Sequence, residues 1–419
     1  ALYNQIPNKI KKTDKDESKI DESDIFAFLE DKESEEVKKQ LLIFSDNRQN
    51  AAYFATYLNN SYMDILIKRI LVNVIEENKE ECLKNKWTLQ DYARRVIEFI
   101  EENNLFIDYS IETLQIEVWK WIIGEFIGNR GNNTLEKLGL ISFLPNFKSI
   151  RNHKNLFRIP LFKEFGFTDE EIPEFCRYLI DRFRLNRAIE YPEHVRPTDE
   201  YFSPINQQGG IIRTKAPGQE RGIKGYFITP WITGKESYTN SRIDYLSKIL
   251  KAKGINKTRR DVMDFLDNLF NIFIHPKSPL YPYVKSEPLK NYGKIFKIDP
   301  KIYAVLPGEN NLHKYYQCDS CFKITSININ HVCPSYKCDG QLREIDLSEA
   351  LKDNHYRKLY RDTKLEKMNV SEHTAQLKTE YAAEVQNRFI NGNINVLSCS
   401  TTFELGVDVG ELETVFMKN

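Results

Sequence analysis

The sequence predicts an α/β fold, a parallel sheet interrupted by a large, mostly helical insertion that ends in a four-cysteine ribbon. Three observations predict it. Short apolar runs at 40–46 (QLLIFSD) and 395–399 (NVLSC), with another ending at Met417, have the length and polar borders of buried strands. Helical periodicity dominates 62–127 and 151–190. Four of the seven cysteines fall between Cys318 and Cys338.

At 419 residues the chain has room for roughly two to four domains. Apolar residues at 41% and charged residues at 29% describe a globular protein. Lys+Arg and Asp+Glu both total 60, so net charge points to no class of partner. No signal peptide, apolar run of about 18 residues or lipidation motif is present, which predicts a cytoplasmic protein without a membrane partner. A chain that starts on Ala1 and stops two residues after a strand reads as a fragment.

Residues 1–39 carry 11 acids and 8 bases with few apolar residues, and read as an acidic linker with a short helix at most. Residues 40–61 supply the first strand and helix. Ser45, Asp46 and Arg48 fall at that strand's carboxyl end, where a helix N-cap explains Ser45 or Asp46 equally well. Residues 62–236 form a helical insertion. Thr88–Asp91 and Thr168–Glu171 fit capping boxes. The helices before 142, followed by a strand, read as a winged-helix-like piece, a small helical module that ends in a β-hairpin, or as a generic helical core. Residues 191–236, rich in Pro, Gly and aromatics, read as loops and hairpins. Thr233–Ser237 (TGKES) lacks the upstream glycine and the hydroxyl after lysine that a phosphate loop needs, and is rejected as one.

Residues 237–310 form a second, basic winged-helix-like piece, with two helices and a hairpin at 292–306. Counted over 235–301, Lys and Arg number 14 against 7 Asp and Glu. Lys248, Lys251, Lys253, Lys257, Arg259 and Arg260 are candidate nucleic-acid contacts, with a solvated lysine face as the competing view. Residues 311–346 hold Cys318, Cys321, Cys333 and Cys338 in the pattern C-x2-C, eleven residues, C-x4-C. Two such knuckles close a tetrahedral, structural Zn²⁺ site, a zinc ribbon with Tyr315 and Phe322 around it. His313 and His331 are spare ligands that four cysteines make unnecessary. Cys82, Cys176 and Cys399 read as buried thiols.

Residues 347–419 return to the α/β layer. Met368–Val370 is expected as a strand, Ser371–Gln376 as its exit loop, and 378–391 as a helix ended by Gly392. The strand at 395–399 leads into Ser400, Thr401 and Thr402, then Gly406 and Asp408. Hydroxyls, glycine and one acid at a strand's carboxyl end are phosphate-binding chemistry. Strand 40–45 is expected to join this sheet across the insertion.

Together, LLIFSDNRQNAAYFA, SEHTAQL and INVLSCSTTFELGVDVGELETVFMKN resemble motifs IV, IVa and V of the second RecA-like domain of superfamily 2 helicases. The subgroup is the DEAD/DEAH-like one with a four-cysteine element, known from bacterial phage defence and DNA repair. The resemblance implies a RecA-like sheet that pairs with a first RecA-like domain, with ATP and Mg²⁺ between the two and DNA across both. By motif, Ser400, Thr401, Thr402, His373, Thr374 and Gln376 would contact DNA phosphates. Ser45, Asp46 and Arg48 would hold the backbone or brace these loops, and Gly406 and Asp408 would face the nucleotide. Other defence or repair proteins are implied partners. A Walker A loop, an acid pair and an arginine finger are missing from this stretch, so it is not expected to hydrolyse ATP alone. The competing reading is a non-enzymatic nucleic-acid-binding or partner-docking protein.

Overall fold

A computed structural model describes residues 40–45, 47–128, 133–202, 211–215, 226–232, 239–289, 293–362, 368–373, 379–400 and 415–418. The linker at 1–39 and the rejected phosphate loop at 233–237 lie outside them. The chain divides into two compact units, residues 1–67 with 362–419 and residues 68–361. The second unit includes 347–361, which the sequence reading had grouped with the α/β layer.

The first unit begins with β1 (Leu41–Ser45) and the long helix α1 (Arg48–Glu77), whose later turns belong to the second unit. The N-cap is Asn47, whose Oδ1 accepts the Asn50 N–H at 2.7 Å, so neither Ser45 nor Asp46 is needed for that purpose.

In the second unit, α2 (Lys79–Asn85), α3 (Leu89–Glu102) and α4 (Ile111–Phe126) lead to β2 (Ile141–Pro145). Helix α5 (Glu171–Leu185) follows, then β3 (Ile211–Lys215) and β4 (Tyr226–Pro230). Next come α6 (Ser241–Ala252), α7 (Arg259–Phe273), β5 (Val284–Leu289), β6 (Gly293–Ile298) and β7 (Tyr303–Pro307). The ribbon is β8 (Tyr315–Cys318), β9 (Ile324–Thr325) and β10 (Leu342–Ile345), and α8 (His355–Arg361) closes the unit. The chain then returns to the first unit with β11 (Val370–His373), α9 (Thr379–Ile390), β12 (Val396–Ser400) and β13 (Val415–Lys418).

The first unit is an α/β layer built on a parallel sheet. Strand order is β11-β12-β1-β13, and every pairing is parallel. Alternation along β1 sends Leu41 and Ile43 to one face and Leu42 and Phe44 to the other. Leu41, Ile43 and Val396 pack with Phe54 and Leu58 of α1. Leu42, Leu397 and Cys399 pack with Val385 and Phe389 of α9. Both faces are therefore covered, as a parallel sheet requires. The helix stripe expected at Val385 and Phe389 is buried, and Gly392, at φ +69°, ends α9 in the left-handed cap that glycine favours.

Three expectations for the insertion are corrected. Strand β2 does not close a local hairpin, because it pairs antiparallel with the distant β7. The hairpin is therefore not 292–306. It is β5 with β6, and β7 leaves it to join β2. In the Pro- and Gly-rich region, β3 and β4 pair in parallel, so they are not a hairpin either. Both predicted capping boxes are present. Thr88 N–H donates to Asp91 Oδ2 at 3.0 Å and Asp91 N–H to Thr88 Oγ1 at 3.2 Å. Thr168 N–H donates to Glu171 Oε2 at 2.9 Å and Glu171 N–H to Thr168 Oγ1 at 3.3 Å.

The second unit's core is aromatic, with a buried cation inside it. Arg184 on α5 is only 2% exposed. Its Nη1 donates to the Phe126 carbonyl at 2.6 Å, its Nε to Asp181 at 2.6 Å and its Nη2 to Glu136 at 2.9 Å. The rings of Phe126, Phe143 and Tyr303 surround its guanidinium at 5.4–5.9 Å. Two carboxylates and three π faces thus offset its desolvation. Cys82, Cys176 and Cys399 are fully buried, as expected, and burial pushes the Cys82 thiol up to about 12.

Candidate metal centre and strand-edge site

Two cysteine knuckles meet in the ribbon. Cys318 and Cys321 lie at the β8–β9 turn, and Cys333 and Cys338 lie on the turn before β10. The Sγ atoms of Cys318 and Cys338 are 3.6 Å apart, those of Cys321 and Cys333 are 3.7 Å apart, and all four lie within 4.8 Å of one another. A tetrahedral ion with metal–sulfur bonds of about 2.3 Å has sulfur–sulfur edges of about 3.8 Å. The four residues therefore fit a structural zinc ion.

The surroundings also suit thiolate ligands. Cys321 N–H points at Cys318 Sγ and Ser335 N–H at Cys333 Sγ, each at 3.5 Å. Burial opposes it, but hydrogen bonds from the Lys323 backbone and Ser335 hold the Cys321 thiol down to about 6. Any Cβ on Gly340 would collide with Cys318 Sγ and Ser320, so the close approach of that loop needs glycine. Tyr316 packs against the cysteines, and Tyr315 does not, since its hydroxyl donates to the Gly308 carbonyl at 2.7 Å. Phe322 is an exposed residue of the ribbon surface. Among the described residues, the only group of three or more potential ligands is these four cysteines, which leaves His313 and His331 outside it.

The second knuckle is fastened to α6. Lys248 Nζ donates to the Ser335 carbonyl at 2.8 Å and the Cys338 carbonyl at 2.9 Å, and pairs with Asp244 at 2.9 Å. Asp244 Oδ2 also accepts the Lys337 N–H at 3.1 Å, and the Tyr336 hydroxyl donates to the Thr239 carbonyl at 3.2 Å. A zinc ion with four thiolates carries a net charge near −2, and the Lys248 ammonium bonded to the carbonyl of one ligand residue lowers that cost. We expect Lys248→Met to speed zinc transfer to a chromogenic chelator by about tenfold with the circular dichroism of the helices unchanged. An unchanged transfer rate would remove Lys248 from the metal centre.

The six basic candidates separate by environment. Lys248 is engaged at the knuckle. Lys253 donates to the Gly166 carbonyl at 2.7 Å, pairs with Glu171, and lies 5.5 Å from the Phe167 ring. Lys251, Lys257 and Arg259 line a shallow cleft of about 310 Å³ at the α6–α7 turn, where Lys257 lies 4.8 Å from the Phe165 ring. Arg260 points outward, 4.0 Å from Asp264.

At the parallel sheet, the carboxyl ends of three strands share one edge. Ser45 is in register with Ser400, and His373 with Cys399. Lys418 on β13 is in register with Ser45 on its other side. Ser400 closes β12 and does not begin the loop. His373 is likewise the last residue of β11, so the strand expected to end at 370 runs three residues further. Both serines are buried, and the Ser45 hydroxyl has no hydrogen-bond partner among the described residues. Burial holds the half-buried His373 below the usual imidazole range. Arg48 opens α1. Asp46, Thr374, Gln376, Thr401, Thr402, Gly406 and Asp408 lie outside the described residues.

Sequence reasoning did not find the roles of Lys248 and Asp244. Their i,i+4 spacing on a helix was a visible signal, but the carbonyls they meet come from the far knuckle.

No protein-family model matches the chain. Over 131 residues it is 30% identical to Druantia protein DruE of Escherichia coli (strain UMEA 4076-1), a match that covers 26% of this chain and 7% of that protein. The chain thus spans a small part of that relative's length. No solved structure matches it.

Proposed function

We propose that this chain is part of an ATP-dependent superfamily 2 helicase or translocase acting on DNA. It supplies phosphate contacts and one half of an ATP site, with ATP and Mg²⁺ held against a first RecA-like domain. One observation carries the reading. Segments 41–45, 370–373 and 396–400, the strands of the three motif-like stretches, are neighbouring parallel strands whose carboxyl ends share an edge. Ligands of open α/β sheets bind at that edge. The Ser45 hydroxyl there, without a hydrogen-bond partner among the described residues, is a buried donor and acceptor that a ligand or ordered water would satisfy. The similarity to part of Druantia protein DruE agrees with a bacterial defence setting.

On this reading Ser400, Thr401, Thr402, His373, Thr374 and Gln376 contact the tracked strand without reading its sequence, as a motor requires. Gly406 and Asp408 face the nucleotide, and Ser45, Asp46 and Arg48 brace the loops. In the basic piece the remaining DNA contacts are Lys251, Lys257, Arg259 and Arg260, since Lys248 and Lys253 are held inside the unit. The test is a titration of labelled single- and double-stranded DNA at two salt concentrations. Salt-sensitive binding is expected, with log affinity falling by about 0.7–0.9 per neutralised phosphate for each unit of log salt. Absence of binding at low salt would sink the DNA assignment. Flanking coding sequence without a phosphate loop and an acid pair would sink the motor assignment.

A further inference from the structure

Phe322 follows the second cysteine of the first knuckle, and its backbone is left-handed, with φ at 58°. The knuckle dictates that conformation. Phe322 N–H donates to the Cys318 carbonyl at 3.1 Å, and Gln317 Nε2 donates to the Phe322 carbonyl at 3.3 Å. Glycine is the residue that adopts such a conformation without cost, and a bulky side chain there is an outlier. Strain of this kind concentrates where a side chain has work outside its own packing.

Among the described residues no stacked ring offsets that cost. Phe322 is 69% exposed. Phe106 makes the contrast, since it is also left-handed, at φ 53°, but packs against Trp121 at 5.3 Å and Tyr109 at 5.5 Å. Cations lie on this knuckle and near it. Lys323 is adjacent in sequence and exposed. Lys137, also exposed, is near enough to Lys323 that, after burial, that neighbour's charge is what holds it below the usual lysine range. Arg343, exposed on β10, is the cross-strand partner of Gln317. The acid on this knuckle, Asp319, has its Oδ1 occupied by the Gln341 N–H at 2.9 Å and the Ser320 hydroxyl at 3.2 Å.

We propose that Phe322 is a stacking platform for an unpaired base of single-stranded nucleic acid, with Lys323 and Lys137 taking the adjoining phosphates. A free aromatic face beside cations suits a splayed base and its backbone, whereas a duplex hides its base faces. The proposal rests on the nucleic-acid reading above. It adds a contact on the metal ribbon, separate from the strand edge and the basic helices.

The test uses the full zinc-loaded chain and a single-stranded oligonucleotide carrying one 2-aminopurine. Base–aromatic stacking predicts that Phe322→Gly weakens binding about fivefold or more and abolishes the quenching of 2-aminopurine. Its thermal stability should stay level or rise, because glycine relieves the left-handed strain. An affinity loss without a stability loss separates stacking from a structural role. Phe322→Trp should bind as wild type does, and Lys323→Glu should reduce the salt slope. If wild type binds and Phe322→Gly binds equally well, the platform is overturned and the nucleic-acid reading stands. If duplex affinity falls as much as single-strand affinity, the single-strand assignment is overturned. If wild type binds neither form, the underlying reading fails and the platform with it.

Discussion

Chelation of zinc is expected to unfold the ribbon and to loosen the helix fastened to it. Amides of 315–345 should lose protection from hydrogen exchange first, and those of α6 (Ser241–Ala252) should follow. The ribbon has little else to hold it. Its sheet is three short strands, and its core is Cys318, Cys333 and Leu342 with Tyr316, Cys321 and Cys338 around them. Small cysteine-bound modules derive about 10–16 kcal/mol from the ion and are unfolded without it. Helix α6 is affected because three hydrogen bonds cross from Lys248 and Asp244 to Ser335, Lys337 and Cys338. One zinc per chain is expected by metal analysis. A stoichiometry near zero, or unchanged exchange after chelation, would contradict the assignment.

Arg184→Ala should cost about 3–5 kcal/mol of stability, the range found when one partner of a buried ion pair is removed. Asp181 would lose its pairing cation, and the Phe126 carbonyl would lose a donor. Glu136 also bonds Arg184, so it would lose its partner too. A truncated guanidinium also leaves a gap among Phe126, Phe143 and Tyr303. Urea denaturation followed by circular dichroism measures the change. A loss below about 1 kcal/mol would mean that the pair behaves as a surface ion pair. The double variant Arg184→Met/Asp181→Leu should recover part of the loss, because it removes the guanidinium together with the less exposed of its two carboxylates and leaves only Glu136 without its partner.

The parallel sheet was legible because a buried strand is a short apolar run with polar borders, and 41–45 and 396–400 are such runs. β11 was misread for a physical reason. It is an edge strand of that sheet, so Ser371, Glu372 and His373 stay half-buried and need no apolar pattern. The β2–β7 pair was illegible because ISFLP and YAVLP are both short, largely apolar runs that carry no partner information. The local choice, β6 with β7, looked as good. The four-cysteine cluster was legible because cysteine spacing encodes a tetrahedral set of ligands. Its fastening was not, because a charge count cannot tell a lysine bound to carbonyls from a lysine in water.

The sheet order has a consequence for synthesis. β1 lies between β12 and β13, so both of its neighbours come from the end of the chain. Leu41 waits for Val396, 355 positions later (396 minus 41). At translation rates of about 5–20 residues per second, that gap lasts roughly 20–70 s. For that time an apolar strand has both edges open, the configuration most prone to wrong pairing. The helical unit made in between can fold on the ribosome first, through local contacts that form quickly. The earliest of the described strands to be translated is therefore among the last to be secured, and the yield of folded protein is expected to depend on keeping residues 41–45 shielded until 396–418 arrive.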